Sequence, residues 1–377
     1  MKSLMKAFAI PVLTILFTLP ALSQTQGDES WKKTTTQQDA IGTVNSSRTT
    51  ESWSKKGSRT TDKKSTETIG PDGRFVPYTD TETQTVEVNA NTVRTVQRSY
   101  ARDVNGNRTL VQVTEEEKKT TAGGAQQISR TTSNPDLNGR LQVVQREVQQ
   151  IKRLSPTVQE STTTVSMPDV NGALSPSMRV QQRETKTGEH STAFRKSTLL
   201  PDGNGNWQTA EVRAGTTNDS NQGATTEERV LQPGSDGQLA IVQKTVTHDS
   251  KGAAENKSTT ETYSNSVPGM ASDNGLHLVE KSTTVRRSEA SGQQKTEQKV
   301  ERPSAGNPSD GLRVTDQVID IVRPNGNSKQ EKVTTLSRDA NGNMNVVSVD
   351  TAKQDSSKPV QVDIKQPVKA GSAKPKK

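Results

Sequence analysis

The sequence contains no cysteine, so it can form neither a disulfide framework nor a thiolate metal site. Aromatic residues are also scarce and make up only 3% of the chain. A transmembrane β-barrel needs outward apolar faces and two girdles of aromatic residues at the membrane surfaces. The composition therefore argues against a membrane barrel.

The chain also lacks any long apolar run beyond its first residues. Lys2 and Lys6 precede an apolar stretch over residues 7–19, and Ala21-Leu22-Ser23 follows as a cleavage site. This order is typical of a secretory signal peptide, and the stretch is too short to span a bilayer comfortably. We predict a signal peptide over residues 1–23 and export to the periplasm, cell surface or extracellular space. We predict no membrane span after the signal is removed.

Residues that build active sites are few as well. The three histidines, His190, His248 and His277, lie far apart and show no metal-ligand spacing. The sequence has no nucleophile elbow and no phosphate-binding loop, and its carboxylates lie in polar segments. We therefore predict no catalytic residues, no cofactor and no enzymatic activity.

Composition narrows the fold class further. Hydrophobic residues make up 27% of the chain, which is low for a globular domain and excludes a compact fold around one core. The net charge is +8 with both signs interspersed, unlike the clustered basic footprint of a nucleic-acid-binding protein, so no specific nucleic-acid partner is expected. Two interpretations remain: a thin β-structure with little interior, or a largely disordered repeat chain.

A recurring turn favours the β-structure. Segments such as Asp103-Val104-Asn105-Gly106, Asp136-Leu137-Asn138-Gly139 and Asp169-Val170-Asn171-Gly172 return with a period of about 33 residues, about ten times in all, which is the mark of a repeat architecture. Asp and Asn bond their own backbone and glycine adopts positive φ, so this motif reverses the chain between two strands.

The residues after each turn show a strand pattern. Leu141, Val143 and Val144 follow Gly139 in the same arrangement as Leu239, Ile241 and Val242 follow Gly237. A second chain breaker lies midway between turns, so each repeat reads as one strand out and one strand back. We predict an all-β fold: an extended, open array of antiparallel strand-turn-strand repeats.

The ends of the chain differ from its middle in composition. Residues 24–38 are predicted to form a polar linker and residues 39–350 the β-repeat region. Residues 351–377, rich in Lys and Pro, are predicted to form a disordered basic tail.

Three of the turns place oxygen-bearing side chains at alternate positions, as calcium ligands would be: Asp103, Asn105 and Asn107; Asp202, Asn204 and Asn206; and Asp339, Asn341 and Asn343. The glycine falls at the fourth position of each loop rather than the sixth, where an EF-hand has it. Ordinary turn chemistry is therefore the favoured interpretation, with calcium as the alternative.

The segments Asp103-Val104-Asn105-Gly106-Asn107-Arg108 and Asp136-Leu137-Asn138-Gly139-Arg140-Leu141 resemble the core of the YD repeat. That family consists of large exported bacterial proteins whose hairpins build a β-shell around a cargo. Arg102 and Pro135 stand where the family has a tyrosine. The resemblance implies an exported β-repeat protein.

These observations predict a non-catalytic structural or interaction protein of the bacterial envelope, a scaffold or adhesion-like chain with a long polar β-surface. Its partner would be a cell-surface polymer, another protein or a second copy of itself. Two alternatives stay open: a self-assembling, amyloid-like fibre subunit, and a calcium- or glycan-binding repeat module that uses the Asp turns.

Overall fold

The computed structural model describes residues 29–39, 46–70, 72–103, 105–121, 123–266, 275–289, 291–304 and 311–356. The predicted signal peptide and most of the predicted basic tail lie outside the described residues. The described residues form twenty strands. In chain order these are β1 (Glu29–Asp39), β2 (Ser47–Lys56), β3 (Arg59–Ile69), β4 (Phe75–Asn89), β5 (Thr92–Arg102), β6 (Arg108–Thr120), β7 (Gln126–Pro135), β8 (Leu141–Ser155), β9 (Val158–Pro168), β10 (Leu174–Lys186), β11 (Ser191–Pro201), β12 (Trp207–Ser220), β13 (Gly223–Pro233), β14 (Leu239–Lys251), β15 (Glu255–Ser264), β16 (His277–Ser288), β17 (Gln294–Pro303), β18 (Leu312–Asn325), β19 (Ser328–Arg338) and β20 (Met344–Ser356).

Turn chemistry sets the strand boundaries. In the turn after β5, Gly106 N–H donates to Asp103 O at 2.9 Å, and Gly106 has φ +81°. Gly139, Gly172 and Gly205 repeat the same bond and the same positive φ. Because glycine adopts this conformation without steric cost, each such turn ends one strand and starts the next.

Each strand pairs antiparallel with its neighbours in the chain, and the last strand pairs with the first. Thr35 of β1 lies opposite Thr49 of β2 and also opposite Ala352 of β20. The sheet therefore closes into a twenty-stranded barrel. The all-β prediction is confirmed, whereas the predicted open array is wrong, and so is the alternative of a largely disordered chain. Closure removes the two unpaired edges that an open sheet of this size would expose.

We call the recurring turns that run from an Asp to a Gly, such as Asp136 to Gly139, the Asp turns. A bulge recurs on the strand that follows most Asp turns. Between β7 and β8, Ser133 lies opposite Val143 and Thr132 lies opposite Gln145, so Val144 is an extra residue. Equivalent register shifts occur between β9 and β10, β11 and β12, and β13 and β14. Bulges bend the strand and increase its twist, which helps a sheet to curl and close. They also explain why apolar residues stand at both the fourth and fifth positions after the glycine.

Side-chain exposure distinguishes the two faces of the wall. On β20, Asp350, Ala352 and Gln354 are half-buried, whereas Thr351 and Lys353 between them are exposed. On β8 and β10 the same alternation separates half-buried from exposed residues. Side chains on the concave side of a closed barrel converge and shelter one another, so the less exposed set faces the lumen. Residues that lie opposite each other on paired strands face the same side of the sheet. The assignment therefore extends from strand to strand and gives every strand an inner and an outer face.

The barrel has almost no hydrophobic core. The buried apolar residues are Val113, Val165, Val212 and Val230 among the described residues. The strands are rich in Thr, whose branched side chain suits a polar β-surface. Continuous ladders of backbone hydrogen bonds, rather than a packed interior, therefore hold most of this wall together.

The ends of the barrel differ from the predicted segment boundaries. β1 begins at Glu29, inside the segment predicted as a linker, and β20 continues to Ser356, into the segment predicted as a tail. Both segments contribute to closure because β1 and β20 pair with each other.

Candidate functional site: the lumen and the Asp-turn rim

The lumen is wide and lined by polar side chains. Strands lie about 4.8 Å apart and barrel strands tilt by about 40°, so a ring of this size has a backbone diameter of about 40 Å. Threonine hydroxyls pair across neighbouring strands on the inner face, with Oγ1–Oγ1 distances of 3.0 Å for Thr85 and Thr95 and 3.1 Å for Thr217 and Thr226. These residues give the lumen a hydrophilic lining.

The lining also carries charge, with acidic side chains more numerous than basic ones along the middle of the strands. The inward acidic residues are Glu51, Asp62, Glu116, Glu147, Glu184, Glu211, Glu228, Glu280, Asp316, Asp320, Glu331 and Asp350. The inward basic residues of the same region are Lys33, Lys64, Arg130, Lys196, Arg213, Arg286 and Arg302. The middle of the lumen is therefore net acidic in a chain whose total charge is +8.

Several inward charges are paired across strands. Lys33 Nζ lies 2.8 Å from Glu331, Arg130 Nη2 lies 2.6 Å from Glu116, and Arg213 Nη1 lies 3.3 Å from Glu228. Among the described residues, Asp320 Oδ1 and Asp350 Oδ1 are buried atoms that accept no hydrogen bond. The acidic excess thus includes carboxylate oxygens that accept no hydrogen bond from a neighbouring side chain.

One recess in the inner wall collects these features. It has a volume of about 470 Å³ and is lined by Thr83, Gln97, Glu116, Arg130 and Glu147, among others. All of these side chains are polar, so the recess suits a hydrated ion or a small hydrophilic solute rather than an apolar ligand.

The Asp turns form one rim of the barrel, and the candidate calcium ligands lie there. Asp103 Oδ1 accepts hydrogen bonds from the backbone N–H of Asn105 at 2.9 Å and of Asn107 at 2.8 Å, and Oδ2 accepts from Asn107 Nδ2 at 2.9 Å. Asp202 makes the same bonds with Asn204 and Asn206. Asp339 bonds the backbone N–H of Asn341 and Asn343, and the side chain of Asn345.

These carboxylates act as acceptors within their own turns. The hydrogen bond from the Asn107 side chain is the main cause that lowers the pKa of Asp103. Backbone N–H donation from Asn206 and Asn343 does the same for the pKa of Asp202 and Asp339. Within the described ranges no group of three or more His, Asp or Glu side chains is placed to hold a metal ion. The three turns also lie on separate hairpins, so the structure does not bring their residues together.

The outer face is polar along most of its height, and there basic side chains outnumber acidic ones. Lys63, Arg98, Arg183, Arg229 and Lys332 all point outward from the middle of their strands. Ion pairs such as Arg229 with Glu227 at 2.7 Å and Lys244 with Glu227 at 3.2 Å cross this surface. In the described residues no helix is long and apolar enough to cross a membrane.

Comparison with known proteins gives a fold and no family. No family model matches the sequence, and no curated protein matches it. The chain is similar in structure to the siderophore receptor PirA from Pseudomonas aeruginosa, with a TM-score of 0.51, 7% identity and coverage of 88% of this chain and 81% of that one. PirA from Acinetobacter baumannii gives a TM-score of 0.49 with 6% identity, over 88% of this chain and 81% of that one. The outer membrane protein OpdK from Pseudomonas aeruginosa gives 0.47 with 8% identity, over 87% and 98%.

The shared fold is a closed antiparallel β-barrel. The predicted export to the periplasm, cell surface or extracellular space stays a prediction, because a likeness at 7% identity shows the fold alone. The resemblance to YD-repeat proteins stays a prediction.

The predicted function is wrong in its main form and in both alternatives. A scaffold or adhesin with a long open β-surface, and a fibre that grows from sheet edges, both need an open sheet, and the sheet is closed. The calcium- or glycan-binding module needs free turn oxygens, and the Asp oxygens already bind turn donors. The prediction that the chain has no membrane span is also wrong, because a closed antiparallel barrel is the one β-architecture that crosses bilayers.

Proposed function

We propose that this protein is a transport barrel of the bacterial outer membrane that passes small hydrophilic solutes, cations in preference to anions. The observation that carries the proposal is the closed twenty-stranded wall around a polar, net acidic lumen. Barrels of 16–18 strands already leave an aqueous channel, so a ring of this size is wide enough for hydrated solutes. The structural likeness to a siderophore receptor supports the transport class but not a particular substrate.

The charge preference follows from the lining. In a lumen about 40 Å wide, charges on the wall act on a solute near the axis only when salt does not screen them. The Debye length is about 10 Å at 0.1 M salt and about 30 Å at 0.01 M. We therefore expect weak discrimination at physiological salt and clear discrimination at low salt.

The test is uptake by cells that lack their major porins and express all 377 residues of the chain. Initial rates are measured in low-salt medium for a cationic and an anionic fluorescent solute of equal size. The protein should raise uptake of both, and of the cation several-fold more. An exported protein that leaves both rates unchanged would refute the transport function.

Alternation along the strands supplies a matched control for the charge preference. Glu116 faces the lumen and its neighbour Glu117 faces outward, and Glu228 and Glu227 are arranged in the same way. All four carboxylates make ion pairs with basic residues. The inner double variant E116Q/E228Q should reduce the ratio of cation to anion uptake, whereas the outer double variant E117Q/E227Q should leave it unchanged. Equal ratios in all proteins would refute the preference without refuting transport.

A further inference from the structure

Two of the three tryptophans of the chain lie side by side on the inner face of the barrel wall. Trp31 of β1 lies directly opposite Trp53 of β2, and Trp53 lies directly opposite Asp62 of β3. Residues directly opposite each other on antiparallel strands have their Cβ atoms about 4.5–5.5 Å apart. The two indoles and the carboxylate therefore form one group on the wall. We call these three residues the indole cluster.

The indole cluster lies near the rim opposite the Asp turns, where tight turns join the strands. Trp53 stands four positions before Gly57, whose turn joins β2 to β3. At about 3.3 Å per residue, the cluster is about 10–15 Å along the strands from this mouth of the lumen. Nearer the mouth, Glu29 and Lys55 lie opposite each other with opposite charges.

The indoles of the cluster are accessible from the lumen and not from the surrounding membrane. Trp31, Trp53 and Asp62 are all half-buried, so part of each side chain remains exposed on the inner face. The aromatic girdles of a membrane barrel consist of outward rings, to which these two indoles do not belong. In a lumen lined mostly by polar side chains, the cluster thus offers a solute two aromatic surfaces.

Asp62 gives the cluster a negative charge that no basic residue balances. Lys64 Nζ, from the same strand, lies 3.1 Å from Glu51, and Lys33 Nζ lies 2.8 Å from Glu331. Within the described ranges, no Lys, Arg or His side chain makes an ion pair with Asp62. The neighbouring charges are therefore paired with each other, and the carboxylate beside the indoles is left over.

From this arrangement we infer that the indole cluster binds organic ammonium ions, such as quaternary ammonium compounds and protonated amines. The faces of Trp rings attract cations more strongly than other aromatic rings do, and quaternary ammonium groups are typical ligands of such sites. Asp62 supplies the counter-charge. A hydrated metal ion would use only the carboxylate and an uncharged apolar solute only the rings, so an organic cation is the class that uses both. This inference rests on the proposed transport function, since it names the cations that the lumen would favour.

Tryptophan fluorescence of the purified chain tests the binding. The third tryptophan, Trp207, lies near the Asp turns under Arg179, so the variant W207F leaves only Trp31 and Trp53 as reporters. This variant is titrated with choline chloride in a polyoxyethylene detergent at about 0.01 M salt, where charges are least screened. Sodium chloride of equal ionic strength is the blank. We expect a saturable change in emission with choline, and none with its neutral isostere, in which carbon replaces the nitrogen.

Variants made in the W207F background separate the parts of the cluster. Asp62→Asn should weaken choline binding about three- to tenfold, because the counter-charge is lost. Trp31→Leu keeps Trp53 as the reporter and should weaken binding by a similar factor. The matched control is Asp355→Asn. Asp355 lies opposite Lys32 on the outer face near the same rim and is 59% exposed, so its loss should leave the affinity unchanged. Melting temperatures show that each variant keeps its fold.

Several results would overturn the inference. An absent response to choline, an equal response to the neutral isostere, or equal affinity before and after Asp62→Asn would show that the two indoles only hold β1 and β2 together. A saturable response to glucose that Asp62→Asn does not change would assign the cluster to sugars instead.

These measurements are independent of transport. Choline binding by the purified chain without uptake by cells would refute the proposed function and support the indole cluster as a binding site. Uptake by cells without choline binding would refute the cluster and leave the proposed function in place.

Discussion

Asp80 is the acidic residue whose removal we expect to destabilise the barrel most. Its side chain is only 8% exposed, and its Oδ2 lies 2.6 Å from Arg102 Nη2 and 3.1 Å from Arg108 Nε. The substitution Asp80→Asn preserves the shape of the side chain and removes the charge, which leaves two guanidinium groups close together. Breaking a buried ion pair on one side costs about 3–5 kcal/mol.

The expected cost is smaller than that because the partners are partly hydrated. Arg102 is 26% exposed and Arg108 is 36% exposed, and Arg108 keeps a second partner in Glu82 at 3.0 Å. Water and Glu82 screen part of the repulsion, so we expect Asp80→Asn to lower the free energy of unfolding by about 2–3 kcal/mol. Coupling to Arg102 should be measurable, at about 1 kcal/mol or more, in a double-mutant cycle with Arg102→Gln.

Urea denaturation followed by circular dichroism measures this effect as a shift of the midpoint at constant slope. The matched control is Asp72→Asn. Asp72 is 59% exposed and its carboxylate lies 3.9 Å from Arg74, so its loss should change stability by less than about 0.5 kcal/mol. Equal midpoints for the two variants, or a cost below about 1 kcal/mol for Asp80→Asn, would refute the reasoning that burial makes this cluster strong.

Three further predictions follow from the wall and its turns. Val212 is 2% exposed and Val346 is 41% exposed. Val212→Ala should therefore lower the free energy of unfolding, measured by urea denaturation, by about 2 kcal/mol, and Val346→Ala should lower it by less than about 0.5 kcal/mol. Similar losses for the two variants would contradict the difference in burial. Gly139→Ala places a side chain at φ +77° and should cost about 1–2 kcal/mol, whereas Gly203→Ala, without a positive φ and with open space around it, should be neutral, as thermal melting can check. Hydrogen bonds lower the pKa of Asp103, Asp202 and Asp339 in the folded state, so their stabilising contribution is present above the unfolded pKa of about 3.9 and is lost as the pH falls through the folded values. The wild type should therefore lose more stability on acidification from about pH 5 to about pH 2 than the triple Asp-to-Asn variant, and parallel pH profiles would contradict this.

Local chemistry was readable from the sequence because it depends on neighbouring residues. Asp136, Asn138 and Gly139 form the predicted turn, with Gly139 at φ +77° and its N–H bonded to Asp136 O at 2.9 Å. Leu141 and Val143 lie on one face of a strand, as their spacing predicts. The all-β class follows from these repeated local signals.

Closure could not be read in the same way. Pairing of Thr35 with Ala352 joins residues at opposite ends of the chain, and no feature of either segment specifies the other. The bulges that help the sheet to curl add only one residue per hairpin, such as Val144, and they resemble ordinary scatter in the spacing. The sequence pattern is equally compatible with an open sheet, and the open sheet is what we expected.

The scarcity of aromatic residues predicted that the chain is no barrel, and that prediction is wrong. It is correct that the wall lacks two aromatic girdles, since most outward positions are polar, as Arg183 and Arg229 are. The error was to equate that absence with the absence of any barrel. The few outward aromatic residues, Phe75, Tyr100, Trp207 and Tyr263, gather at one rim, but their grouping is visible only once the strands are paired.

The division into inner and outer faces needed closure as well. Alternation predicts that Glu116 and Glu117 point to opposite sides, but an open sheet gives neither side a distinct role. Once the ring closes, one set of charges lines the lumen and the other set meets the surroundings. The acidic lumen in a basic chain is therefore a property of register and not of composition.

The pairing of β1 with β20 has a consequence for the order of events during folding. The strand that leaves the ribosome first cannot complete its pairing until the strand made last is available, because β20 covers the free edge of β1. Until that moment the growing sheet exposes two unpaired edges, which are templates for aggregation. Loop closure over such a distance is slow compared with hairpin formation. The pairing of β1 with β20 should therefore form last. Chaperones that keep the chain extended until export is complete would prevent it from being trapped as a half-closed ring.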